Sequence, residues 1–195
     1  MIKFGAIDAS MRNCGLVFGT YDVGQATYKI GEGHLIQTFR DNTKGVRASA
    51  KDYDACRLMY TKLQAYLKTY APQIMFAEMP TGSQSANGMK SYGMSLALLG
   101  TIGCPVIQVS PQEVKVAAVD SKTASKDTMI RWAMQKYPDI QWLMRKLKGE
   151  MTFLNKNEHI ADACGAVEAG MRTDQWRQLI AVMQPPAQPV AESLL

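Results

Sequence analysis

The chain has 195 residues, 47% of them hydrophobic, which is enough for one well-cored domain and short for two joined by a hinge. Of its formal net charge of +5, the whole excess lies between Lys115 and Lys156, nine Lys/Arg against four Asp/Glu, while the remainder balances thirteen against thirteen. Four well-separated cysteines, Cys14, Cys56, Cys104 and Cys164, argue against a zinc ribbon or a dense disulfide framework and fit a reduced, intracellular protein.

The chain opens on "IKFGAIDASMRNCGLVFG", which reads as two strands around a turn at Ser10 to Asn13. Ile2, Phe4, Ala6, Asp8 and Ser10 alternate onto one strand face, so Asp8 falls where a core or site residue belongs. A buried carboxylate needs a partner. A turn aspartate capped locally by Ser10 or Asn13 accounts for this segment equally well. No basic-then-apolar leader precedes the strand, and the expected location is the cytoplasm. "ATYKIGEGHLIQTF" then completes an antiparallel meander.

Apolar and aromatic residues recur at helical spacing from about Ala48 to Tyr70, predicting an amphipathic crossover helix. "QIMFAE" reads as a buried strand parallel to the first, with Glu78 at its carboxyl end. The small polar residues of "TGSQSANGMKSYG" predict a loop that either lines a substrate groove, with Ser83, Asn87 and Lys90 as candidate DNA contacts, or is flexible and holds no ligand, and a helix follows to about Ile102. The uncharged run from Ser91 to Gln112 is broken by Gly100, Gly103 and Pro105, which disfavours a membrane span.

"PVIQVS" is the next strand, "PQEVKVAAV" a short helix and "SKTASKDTMIRWAMQKYP" a longer one, with a basic turn between the two helices. The segment "DIQWLMRKLKGEMTFLNKN" reads as a helical turn or insertion, basic, with Trp142 and Phe153 as core anchors or surface aromatics. "NEHIADACGAVEAGMR" is a helix whose small residues imply close packing on the sheet. One domain over residues 1–175 is expected, with a helix end and a Pro-containing, disordered tail over 176–195.

Alternation of strands and helices after a meander places the Glu78 strand beside the Asp8 strand. His159 and Asp162, three residues apart, share a helix face able to approach the same sheet edge. Asp8, Glu78, His159 and Asp162 would offer hard oxygen donors and one imidazole, a set suited to Mg²⁺ or Mn²⁺. Two such ions about 3.5–4 Å apart support phosphodiester hydrolysis. Each of the four also has an ordinary structural explanation, and their joint placement is what favours a site.

With "GAIDASMRNCGLVFG", "FAEMP", "QEVKVAAVDSKTASKDTM" and "HIADACGAVEAG" in this order, residues 1–172 resemble the RuvC-type Holliday junction resolvases of the RNase H-like superfamily, in a phage-encoded or otherwise divergent form. The resemblance implies an α/β, three-layer fold around a five-stranded mixed sheet. It further implies a homodimer and Mg²⁺-dependent paired nicking of four-way DNA junctions, with two ions per site. Asp8, Glu78 and Asp162 map onto the acidic residues, and His159 falls where the family has aspartate or histidine. Lys115 and Lys126 align with DNA-contacting lysines, and Lys122 belongs to the same basic segment. Ala9 and Ser10 depart from the family pattern, and the stretch from Asp139 to Asn157 is longer than usual.

Other readings are an actin-like or sugar-kinase ATP-binding protein, which needs two lobes and a second phosphate motif that the chain does not show, and a non-cleaving module that binds branched DNA. A proofreading-type exonuclease would want an acid where Ser10 stands.

Overall fold

A computed structural model describes residues 1–39 and 42–183. Three antiparallel strands, β1 (Ile2–Ala9), β2 (Asn13–Asp22) and β3 (Thr27–Gln37), form the expected meander, and helix α1 (Ala48–Tyr70) crosses over to β4 (Ile74–Glu78). Helix α2 (Ala86–Leu99) leads to β5 (Val106–Val109), followed by α3 (Pro111–Val119), α4 (Lys126–Lys136), the hairpin strands β6 (Met144–Leu147) and β7 (Glu150–Phe153), α5 (Asn157–Gly170) and α6 (Asp174–Met183). The five-stranded sheet runs β3-β2-β1-β4-β5, antiparallel across the meander and parallel from β1 to β5. This is the expected mixed α/β sheet flanked by helices.

Strand alternation divides the core in two. Ile2, Phe4, Ala6 and Val17 on one face meet α3 to α6, including Trp176 and Ile180 of α6. Ile7, Ala9, Leu16 and Phe18 on the other face meet Met59 and Leu63 of α1 and Leu98 and Leu99 of α2. Asp8 has the parity of Ala6 and therefore faces the α5 layer.

Helix α5 is buried along almost its whole length, and glycine is what lets it lie so close. A β-carbon at Gly15 would stand 1.9 Å from the backbone oxygen of His159, and one at Gly170 would stand 2.1 Å from the Phe76 ring. Glu168, on the same helix, is buried and accepts hydrogen bonds from the Tyr28 and Tyr137 hydroxyls, with Lys136 Nζ at 2.6 Å. These bonds tie α5 to β3 and to the end of α4.

Two segments differ from the sequence-based expectation. The stretch expected to be a loop from Thr81 to Gly93 becomes helical at Ala86, because Ser85 caps α2 by accepting from Gly88 N, and the helix ends at Leu99. The stretch expected to be a helical turn or insertion is a β-hairpin. Its two-residue turn holds Lys148 at φ 50° and Gly149 at φ 93°, the paired positive φ that matches a hairpin's twist. Trp142 and Phe153 flank it as core anchors. Among the described residues no helix is long and apolar enough to cross a membrane. The Pro-containing tail after residue 183 lies outside the described residues.

Candidate active site

Parallel pairing of β1 with β4 sets Asp8 opposite Glu78 at the carboxyl ends of both strands. On the other side of β1, Asp8 is in register with Gly15, and it is over Gly15 that the first turn of α5 descends. Helix α5 thereby delivers His159 and Asp162 to the same corner. His159 Nδ1 lies 2.5 Å from Asp8 Oδ2. The local-cap explanation of Asp8 does not hold: Ser10 Oγ donates to the Asn13 carbonyl at 2.6 Å and accepts from Asn13 N at 3.1 Å, so the turn satisfies itself.

The electrostatics are those of crowded carboxylates. Burial, with the charges of Asp8 and Asp162, pushes Glu78 up to about 9, against a lowering influence from Lys115. Burial and Asp8 push Asp162 up to about 7, while His159 and Lys115 pull it down. Burial alone would lower His159, but its hydrogen bond to Asp8 and the charges of Asp8, Glu158 and Asp162 leave it above its ordinary value. All four sequence-identified residues therefore share one electrostatic neighbourhood, and Lys115 belongs to it.

Glu158 is an acidic neighbour that sequence reasoning left out of the site. Its Oε1 lies 3.5 Å from His159 Nε2, and Lys126 Nζ donates to Oε1 at 2.9 Å. Lys126 Nζ also stands 2.7 Å from Oε2, but out of hydrogen-bond alignment, which leaves that buried oxygen without a donor. Its signal was available: it immediately precedes His159 in "NEHIADA". Gly15 was missed as well, since a lone glycine in a strand pattern marks a close approach without naming what approaches.

Among the described residues, no three His, Cys, Asp or Glu side chains are gathered closely enough to hold a metal ion as they stand. Asp8 Oδ2 is engaged by His159. The donor chemistry nonetheless fits a hard divalent cation. Half-buried Glu78 and Asp162, whose affinity for protons is raised by burial and by neighbouring carboxylate charge, form with Asp8 and an imidazole a pocket of excess negative potential.

The expected DNA contacts separate. Lys115 is at the carboxylates, and Lys126 is spent on Glu158. Lys122 lines a different cleft, with Gln112, Ala169 and Arg172, toward the far end of α5. Asn87 and Lys90 line a cleft of about 600 Å³ with Met11, Arg12, Lys51 and Asp52, next to the β1–β2 turn, and Lys90 is paired with Asp52 at 2.7 Å. Ser83 Oγ accepts from Ser85 N at the entry to α2. A smaller cavity of about 300 Å³ between Lys3, Phe18, Lys29 and Tyr70 lies at the opposite end of β1 and contains none of these residues.

The sheet order and the crossover are those of an RNase H-like fold. Among solved structures, it is similar to RuvC of Thermus thermophilus in complex with a Holliday junction substrate, with TM-score 0.58, 14% identity and coverage of 86% of this chain and 92% of that one. A second Thermus thermophilus RuvC structure gives TM-score 0.54 at 16% identity, with the same coverage. The yeast mitochondrial Holliday junction resolvase Ydc2 gives TM-score 0.56 at 13% identity, over 93% of this chain and 84% of that one. No family model and no curated protein matches the sequence. The resemblance read from the sequence motifs is thus borne out as a shared RuvC-type fold.

Proposed function

We propose that the protein is a divalent-cation-dependent endonuclease that resolves four-way or other branched DNA, and that it acts as a homodimer making paired incisions. The observation that carries this reading is the convergence of Asp8, Glu78, His159 and Asp162 at the carboxyl ends of β1 and β4 in a RuvC-type fold. An isolated acidic corner suits many reactions; by fold-level analogy, the RuvC-type fold favours phosphodiester cleavage among them.

Asp8, Glu78 and Asp162, with His159 beside them, would hold Mg²⁺ or Mn²⁺, two ions per site. When bound, the ions supply charge neutralisation at the phosphate and acidify water. Asp8 accepts from His159 Nδ1 and so fixes the ring, leaving Nε2 of the neutral imidazole to take a proton from the attacking water. Lys115 contributes positive charge next to Glu78 and Asp162, where a scissile phosphate would sit. Asn87 and Lys90 line the cleft beside the β1–β2 turn, through which a DNA strand would pass, and Ser83 shapes the entrance to their helix. Lys122 would supply further positive charge toward the far end of α5.

The test is cleavage of labelled four-way junction, flap, fork, linear duplex and RNA–DNA hybrid with Mg²⁺ or Mn²⁺ and with chelator. Cation-dependent incision of branched DNA in preference to linear duplex is expected. Binding of a junction with no incision in either metal would favour the non-cleaving module.

A further inference from the structure

Three cations stand unpaired on the β6–β7 hairpin. Arg145 and Lys146 lie on β6 and Lys148 in the turn, and none makes an ion pair among the described residues. Elsewhere in the basic sector, Lys126, Arg131 and Lys136 are neutralised by Glu158, Asp127 and Glu168 at 2.7, 2.7 and 2.6 Å. The positive field of residues 115–156 is therefore offset on α4 and left free on the hairpin.

The hairpin is also firmly mounted. Leu143 N donates to Asn157 Oδ1 and Asn157 Nδ2 donates to the Leu143 carbonyl, both at 2.9 Å, and Leu154 N closes on the same carbonyl at 2.9 Å. Asn157 is fully buried and is the first residue of α5, directly before Glu158 and His159. Phe153, at the stem, lies under the Arg131 guanidinium at 5.2 Å. An exposed basic ribbon is thus fixed to the helix that carries half of the candidate site.

We propose that the β6–β7 hairpin is a clamp for the phosphate backbone of one duplex arm of the substrate. The proposal rests on the nuclease reading above and adds the element that holds DNA beside the site. Four-residue strands reach roughly 13 Å, a length of duplex carrying about eight phosphate charges, and because Arg145 and Lys146 leave opposite faces of the ribbon, the hairpin set edge-on, with Lys148 at its tip, meets phosphates on both sides. Leu147 and Met151, 49% and 64% exposed, flank the cations and suit sugar and groove contacts. Pairing with a second copy of the hairpin is disfavoured, because it would bring six unpaired cations together.

The test uses the full chain in chelator and measures its affinity for a labelled four-way DNA junction against salt. The variants are Lys146→Gln, Lys148→Gln and the triple Arg145→Gln/Lys146→Gln/Lys148→Gln. Each single variant should flatten the log–log salt slope by about 0.9, and the triple by about 2.7 with a loss of affinity of about tenfold or more. If wild type binds the junction and all three variants match its affinity and slope, the clamp is overturned and the nuclease reading stands. If wild type binds no DNA, the nuclease reading falls and the clamp falls with it. A variant that changes oligomeric mass by light scattering while keeping the wild-type salt slope would make the hairpin a self-association surface and overturn the proposal.

Discussion

Gly15 and His159 touch through their backbones: the place a Gly15 β-carbon would take lies 1.9 Å from the His159 carbonyl oxygen and 2.7 Å from Ile160 N. Both obstacles are main chain, so a side chain at position 15 can be accommodated only by lifting α5. Because Gly15 is paired with Asp8, the lift would separate His159 and Asp162 from Asp8. Gly15→Ala is expected to cost about 1–3 kcal/mol of stability and to remove cleavage at temperatures where the protein remains folded. Thermal unfolding beside a junction-cleavage assay checks both parts. Full activity in a folded Gly15→Ala protein would mean that α5 need not sit this close.

His159 is expected to act as the neutral ring. Its affinity for protons is raised by Asp8, Glu158 and Asp162, so the acid limb of the pH–rate profile should fall above the ordinary histidine value of about 6.5. His159→Ala should lose about 10²-fold or more in rate. His159→Asp should recover more activity than alanine and move the acid limb downward. An alanine variant as fast as wild type would shift attention to Glu158.

Crowding of carboxylates should also cost stability as pH rises. Folded Glu78 holds its proton up to about 9 against an ordinary 4.5, and Asp162 up to about 7 against 3.8. Between those values the native state carries protons that the unfolded chain releases, so their stabilising contribution is full at low pH and is lost as pH climbs through the folded values. In chelator, Glu78→Gln should therefore show a flatter decline of Tm from about pH 5 to about pH 9 and exceed wild type at the alkaline end. Parallel curves for the two proteins would remove Glu78 from the buried cluster.

Cation binding should expel the same protons. Near pH 7, Glu78 is protonated and Asp162 about half so, and loading with Mn²⁺ should release about one to two protons per protomer. Calorimetry in buffers of different ionisation enthalpy measures this number. Release near zero would place the cation elsewhere.

Much of this corner was legible in the sequence because strand parity and helical spacing are local signals. The alternation through Ile2, Phe4, Ala6 and Asp8 put Asp8 on the face of that set, which the structure turns toward α5, and the three-residue step from His159 to Asp162 put both on one side of a helix. That Glu78 would neighbour Asp8 followed from the right-handed crossover through α1.

What was not legible depended on partners far along the chain. The pairing of Lys126 with Glu158 was hidden because nothing in "SKTASKD" announces a partner thirty-two residues away. The hairpin read as a helical turn because its Met, Leu and Lys are good helix formers, and only Lys148–Gly149 signals the turn. Ser85 capping drew Ala86 to Gly93 into α2 against the loop-like composition of that stretch.

The central claim is that the carboxylate corner of β1, β4 and α5 cuts branched DNA. It is tested most directly by single-turnover cleavage of a four-way junction, with all four strands labelled, by wild type, Asp8→Asn, Glu78→Gln and Asp162→Asn in Mg²⁺. Wild type should make symmetrically placed nicks in two opposed strands. Each variant should lose about a thousandfold in rate or more, about 4 kcal/mol of transition-state stabilisation, while still binding the junction. Cleavage at the wild-type rate by any of the three variants would contradict it.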